Sequence, residues 1–381
     1  MVNEPEGDGL ELFYILWSLA IFFHFEWSYL RAPYPATFTQ LVIIVTTPLV
    51  IATLRREAFL AMIAAQLIDC YQHQPRCPNH WQLVAFVNIT YLLADGCRLV
   101  TNIPLATIFR EAITPLTIAF YAFTAFWKLT VDFLNPTTSC SVKFLTEIPT
   151  FGSLIPEKLL LIIPALTILT EALVGVLLAT RKYRSALITG LSFHFALTLN
   201  MTRKFANFSA VMYALLIASC CSNPLYSKSL LSKPINRKLL AIQLPIILIW
   251  TTSSALPGVV YSTMRFGILA LMAAYLFYLT LSHKEDFIGP PLSRLPAPVR
   301  IVSIFPTALL VIVGIFPLLG IRNGSAWQMY SNLILTAQES NHLLIPRSFN
   351  ILGIQGEEVE ITYYSTLYFF DIVKIPKIYQ L

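Results

Sequence analysis

The sequence predicts an all-α polytopic membrane bundle of about eight to ten spans, some short enough to be re-entrant, followed by a small β-containing segment outside the membrane. Three observations predict it. The 381 residues are 56% hydrophobic and only 12% charged, whereas a soluble domain carries about a quarter charged residues, so too little polar surface is left to cover a folded body in water. The mean hydropathy is +0.67. Aromatic residues reach 13%, as expected where Trp and Tyr gather at bilayer interfaces. The net charge of +6 is ordinary for a membrane protein, and no Lys/Arg block is dense enough to imply a nucleic-acid partner.

A span needs about 20 mostly apolar residues. The acidic start, Met1 to Glu11, lacks the basic region of a secretory signal, so the first apolar run is expected to stay in the protein. Runs that meet or approach span length lie at Leu10–Leu30, Thr39–Leu54, Ala58–Cys70, Trp81–Leu99 and Ile113–Leu129. Others are Leu159–Thr180, Ile188–Leu199, Ala206–Ala218, Leu240–Leu256, Phe266–Leu281 and Ile301–Leu319. Proline-rich loops separate several of them, as after Arg31, from Gln72 to Asn79 and after Asn135. The basic clusters at Arg55–Arg56, Arg181–Arg184 and Lys228–Lys238 do not alternate cleanly with these runs, which leaves orientation open. After Gly320 no run is long enough to cross a bilayer, and Glu358-Val-Glu-Ile-Thr-Tyr-Tyr alternates as a strand does. The expected organisation is therefore a helical membrane domain over 1–320 and a small β-containing domain over 321–381.

The six cysteines form no C-x-x-C pair, and the histidines form no H-x-x-x-H pair, so no metal site is expected. Buried thiols are the ordinary expectation. A Cys70–Cys77 bridge fits only if its short loop faces an oxidising compartment.

Ionisable groups inside a span cost several kcal/mol unless they are paired or face a polar cavity. Lys128 ends a long apolar run, and continued helix would put Asp132 on its face four residues on. One reading is a snorkelling lysine with a surface ion pair. The other is a desolvated amine able to take a proton. His194, flanked by Phe193 and Phe195, is either a satisfied buried imidazole or a proton relay. Glu171 lies mid-run with nothing near it in sequence to compensate its charge, so it is either a packing hydrogen-bond group or functional. Asn79, His80 and Trp81 open a span, where a cap and an aromatic anchor are the ordinary reading, and His24 and Glu26 read likewise.

The segment Phe126-Trp127-Lys128-Leu129-Thr130-Val131-Asp132-Phe133 resembles the K-L-x-x-D-[FW] element of the vitamin K-dependent gamma-carboxylase-like family, which shares the horizontally transferred transmembrane (HTTM) domain. Asn79-His80 resembles its N-H pair at the start of a span. Glu171 falls where that family often has an acidic residue, and Phe193-His194-Phe195 resembles its F-H element. Ser325-Ala-Trp327-Gln-Met and Ser340-Asn-His342-Leu resemble its W-x-M and S-N-H-L elements.

The resemblance implies a multi-pass integral membrane enzyme, a lyase or oxidoreductase, that works with reduced vitamin K or a related isoprenoid quinol and with no metal. In the family the lysine acts as base on the quinol and oxygen attacks it. The strong base so formed takes a proton from a glutamate side chain of a protein or peptide substrate, and carbon dioxide adds. Carried over, Lys128 is the base and His80 and His194 line the quinol pocket, with Asn79, Trp127, Asp132 and Glu171 around it. Its Phe, Trp and Leu neighbours supply the apolar surround such a base needs. The implied partners are membrane lipid, an isoprenoid quinone and a peptide or protein substrate. About 60 residues follow Gly320, too few for the carboxylase's large extramembrane domain. A different class also fits: a non-catalytic membrane factor that binds lipid, quinone or a partner peptide in maturation or export.

Overall fold

The computed structural model describes residues 9–29, 37–73, 77, 79–148, 152–199, 205–220, 230–252, 258–282, 296–321, 326–328 and 331–352. Among them no strand forms. The first half holds α1 (Glu11–Tyr29), α2 (Phe38–Thr53), α3 (Arg56–Gln72), α4 (Asn79–Thr101) and α5 (Leu105–Trp127). Three short helices follow, α6 (Val131–Leu134), α7 (Cys140–Thr146) and α8 (Glu157–Leu160). Then come α9 (Ile163–Ala179), α10 (Tyr183–Thr198), α11 (Phe205–Cys220), α12 (Pro234–Thr252), α13 (Gly258–Ser282), α14 (Ala297–Gly314) and α15 (Phe316–Leu319). Each apolar run read from the sequence becomes a separate long helix. Two of these, α4 and α14, are long and apolar enough to cross a membrane among the described residues, and α1, α2, α9, α11 and α13 carry shorter apolar stretches.

Helix ends follow local chemistry. Thr37 and Gln40 form a capping box at the start of α2: the Thr37 hydroxyl accepts the Gln40 N–H and the Gln40 side chain accepts the Thr37 N–H. Leu54 closes α2 in the left-handed region at φ 55°. Gly314 ends α14 where it meets α5, and a Cβ there would stand 2.6 Å from the Phe123 ring, so only glycine allows this approach.

Side-chain contacts fix the direction of the helices. Phe13 of α1 packs on Phe109 near the start of α5, while His24 at the far end of α1 stacks on Trp81 at the start of α4. Arg184 at the start of α10 donates to the Thr280 carbonyl at the end of α13. Arg56 at the start of α3 and Arg98 near the end of α4 both pair with Asp95. The basic clusters that fail to alternate along the sequence thus gather at one end of the bundle: Arg55, Arg56 and Arg98, then Arg181, Lys182 and Arg184. Lys233, Arg237 and Lys238, which open α12, join them through the up-and-down order of the helices. Lys128 lies at the opposite end.

The interior is polar in places. Trp17 Nε1 donates to Asn88 Oδ1, Asn88 Nδ2 to Gln66 Oε1, and Gln66 Nε2 to the Trp81 carbonyl. Trp81 Nε1 donates in turn to Asp69, which also accepts from Gln40. This chain ties α1, α2, α3 and α4 together with every named donor satisfied.

Beyond Gly320 the described residues form no strand. Residues 331–352 form only two isolated bridges, Thr130 with His342 and Leu335 with Ser340. The alternating stretch Glu358–Tyr364 lies outside the described residues.

Asn88→Leu would strand the Trp17 N–H and a Gln66 oxygen in the core, at about 1–3 kcal/mol for each orphaned group. The expected outcome is a lower thermal unfolding midpoint in detergent, measured by intrinsic tryptophan fluorescence, whereas replacing an exposed residue such as Leu99 should change it little.

Candidate functional site

The site is built where α5 stops. Lys128 caps that helix at φ −82°, ψ −4°, and the chain then turns extended at Thr130 before restarting as α6. Asp132 is therefore on a different helix from Lys128, and the one-face pairing expected from the sequence does not form. Asp132 accepts instead from the Asn341 amide at 2.7 Å.

Lys128 folds back along its own helix. Its Nζ donates to the Thr124 carbonyl at 3.2 Å, one of the carbonyls a helix end leaves without an intrahelical partner. It also donates to both oxygens of Glu171 on α9, at 2.9 and 2.8 Å. The lysine is 5% exposed and the glutamate 6%. The charge that looked uncompensated in the sequence thus has its partner 43 residues away. An ammonium has three donors, and all three are used.

A cavity of about 190 Å³ opens beside this pair. Thr124, Lys128 and Glu171 supply its polar end, and Phe133, Phe144, Phe193 and Phe208 supply aromatic wall. His194 stands behind Phe193 and Phe208, with its ring centre 5.3 Å from that of Phe208. Its Nε2 shares a 2.8 Å hydrogen bond with the Tyr121 hydroxyl, and Ser209 donates to its backbone carbonyl. Its Nδ1 has no hydrogen-bond partner among the described residues.

The remaining sequence-predicted residues lie elsewhere. His80 packs against His24, ring centres 4.6 Å apart, and is not among the residues lining the cavity. Asn79 Oδ1 accepts the Trp327 backbone N–H at 3.3 Å, an anchoring role. Trp127 is buried and donates to the Gly314 carbonyl, joining α5 to α14. The structure brings Lys128, Glu171 and, one layer behind, His194 together. It leaves Asn79, His80, Trp127 and Asp132 outside.

Sequence reasoning missed the groups that hold this end of α5. Tyr121, one periodic aromatic among many, positions His194. His342 lies in a segment with no helical or strand period, yet its Nε2 donates to the Phe126 carbonyl at 3.0 Å and its Nδ1 accepts the Leu344 N–H at 3.1 Å. Val131 N–H donates to the Asn341 carbonyl, and Leu343 N–H to the Leu129 carbonyl. Residues 341–344 therefore clamp the turn that carries Lys128. The only signal in the sequence was the S-N-H-L element.

Comparison with protein-family models, with curated proteins and with solved structures finds no match to this chain.

Removing one partner of a buried pair strands the other charge, at about 3–5 kcal/mol. Glu171→Leu and Lys128→Met are each expected to lower the detergent unfolding midpoint, and the double substitution to recover most of the loss. A double-mutant cycle on those midpoints measures the coupling.

His342 gives a pH dependence. Burial pushes its imidazole below the ordinary histidine value, opposed by the bond to the Phe126 carbonyl. Both ring nitrogens are committed in the neutral form, and protonating Nδ1 would break the bond from Leu344. A depressed folded value means that the clamp contributes stability above the unfolded value of about 6.5 and loses it as pH falls through the folded one. Limited proteolysis of residues 331–352 should therefore speed up on acidification below about pH 6.5, and His342→Gln should flatten that dependence.

Proposed function

We propose that this chain is a multi-pass integral membrane protein that binds a reduced isoprenoid quinol in the Lys128–Glu171 cavity and acts on it as a gamma-carboxylase-like enzyme. The observation that carries the proposal is the buried pair at the polar end of an aromatic cavity. Membrane residence is supported by polar chains inside the bundle and by large apolar side chains outside it, such as Val45, Leu169, Leu271 and Ile304, each at least 64% exposed.

The residues fit a ring bearing hydroxyls and an apolar tail: Phe133, Phe144, Phe193 and Phe208 suit the ring, Ile163 and Leu166 suit the tail, and the pair suits a hydroxyl. When bound, the quinol would supply the reducing equivalents for reaction with oxygen. The protein's part is to hold and move a proton. With Lys128 fully engaged, the open acceptor is the Glu171 carboxylate, which has lone pairs to spare. A hydroxyl proton presented to the pair can pass to Lys128 as Lys128 passes its own to Glu171. The net result is a protonated Glu171 and an ammonium left as counter-charge for the oxygen that lost the proton. His194, held by Tyr121, would shape the wall behind the ring. A protein or peptide glutamate remains the proposed final substrate.

The engagement of all three Lys128 donors also favours a second reading, a non-catalytic factor that binds lipid, quinone or a partner peptide at the same cavity. Lipid mass spectrometry of the detergent-extracted protein should find a quinone in either case. Incubation of the purified protein with reduced vitamin K and oxygen is expected to yield the epoxide. Lys128→Ala should abolish that yield while the protein still fractionates with membranes. Full yield from Lys128→Ala would remove the base assignment, and no yield from the wild type with quinone still bound would leave the binding factor.

A further inference from the structure

A Cys70–Cys77 bridge requires two things, sulfurs within reach of each other and an oxidising compartment, and the structure supplies the first. Cys70 lies in the last turn of α3 and Cys77 precedes α4, and their Sγ atoms are 3.2 Å apart with both residues buried, at 5% and 1% exposure. Only a small side-chain rotation separates that distance from a bond of about 2.0 Å. The pair sits against Asp69, whose carboxylate holds Trp81 and Gln40, so it lies where α2, α3 and α4 are joined.

The compartment follows from charge, resting on the membrane reading above. Arg55, Arg56, Arg98 and the Arg181–Arg184 cluster collect at the opposite end of the bundle. The described Lys and Arg residues toward the cysteine end are Lys128, which is buried in its ion pair, with Lys143, Lys158, Arg265 in the second turn of α13, and Arg347. Among the described residues the opposite end is thus the richer in Lys and Arg, and the richer end stays in the cytoplasm. The cysteine end, and with it the Lys128 cavity, then faces the far side, where disulfides form and persist.

We propose that Cys70 and Cys77 are joined as a disulfide that staples α3 to α4 on the non-cytoplasmic side of the membrane. The oxidant is the disulfide of a thiol oxidoreductase of that compartment. One cysteine thiolate attacks it, forming a mixed disulfide and releasing one oxidoreductase thiolate. The second cysteine thiolate then attacks its neighbour's sulfur, the Cys70–Cys77 bond forms, and the second thiolate leaves. The two protons given up by the cysteines end on the two released thiolates, so the cysteines lose two electrons and the oxidoreductase disulfide gains them. Exchange takes place during folding, before the two sulfurs are enclosed.

The test is thiol counting on the full chain, taken from membranes quenched in acid. After denaturation and labelling with a maleimide-polyethylene glycol, four of the six cysteines should react without reduction and all six after it. Cys70→Ser and Cys77→Ser should each free the other cysteine, so that all five remaining cysteines are labelled with or without reduction. Six labels without reduction would overturn the proposal, provided that the protein stays in the pellet after carbonate washing; release into the wash would instead overturn the membrane reading. Lys158→Cys should react with an impermeant maleimide in intact cells, and reaction only after the membrane is opened would overturn the compartment on which the disulfide depends.

Discussion

The ion pair between Lys128 and Glu171 is the constraint around which this end of the molecule is arranged. Neither charge can be enclosed alone, since each would keep a desolvation cost of several kcal/mol. The pairing holds α5 to α9 and supplies the charged groups of the adjoining cavity. It also limits the chemistry. An ammonium with three satisfied donors cannot take up a proton until it has given one away, so the unit able to act as base is the pair.

A second layer keeps the pair in place. Trp127 faces away from the cavity and bonds to α14, while Phe126 offers its carbonyl to His342. Two consecutive residues are thus tied in different directions, and the lysine that follows them has little freedom except toward Glu171. Tyr121, one and a half turns earlier, does the same for His194 on α10. The acidic residue on α9 and the imidazole on α10 both answer to α5, which makes that helix the common frame for the candidate site.

The helices were legible because each apolar run is bounded by proline, glycine or charge, and all of these runs became helices of their own. Lys128, Glu171 and His194 were legible as groups too costly to leave unexplained in apolar surroundings. Their relation was not, because nothing local in a sequence shows that residues 128 and 171 meet. Asp132 misled for the opposite reason: the four-residue spacing is a contact only inside a continuous helix, and Thr130 breaks it. His80 and Asn79 open α4 at the same end of the bundle as the pair, but they face α1 and the Trp327 segment. The His342 clamp was hidden because a segment held by single bridges has no period to read.

The clamp has an implication for how the chain is made. Synthesis runs from the N-terminus, so α5 and α9 are complete long before residues 341–344 leave the ribosome. Until then the Phe126 and Leu129 carbonyls lack their partners, and the turn beneath the cavity is unfinished. Whatever this pocket holds, it reaches its final shape only once residues 341–344 have been made, when that segment folds back and latches onto a helix made more than two hundred residues before.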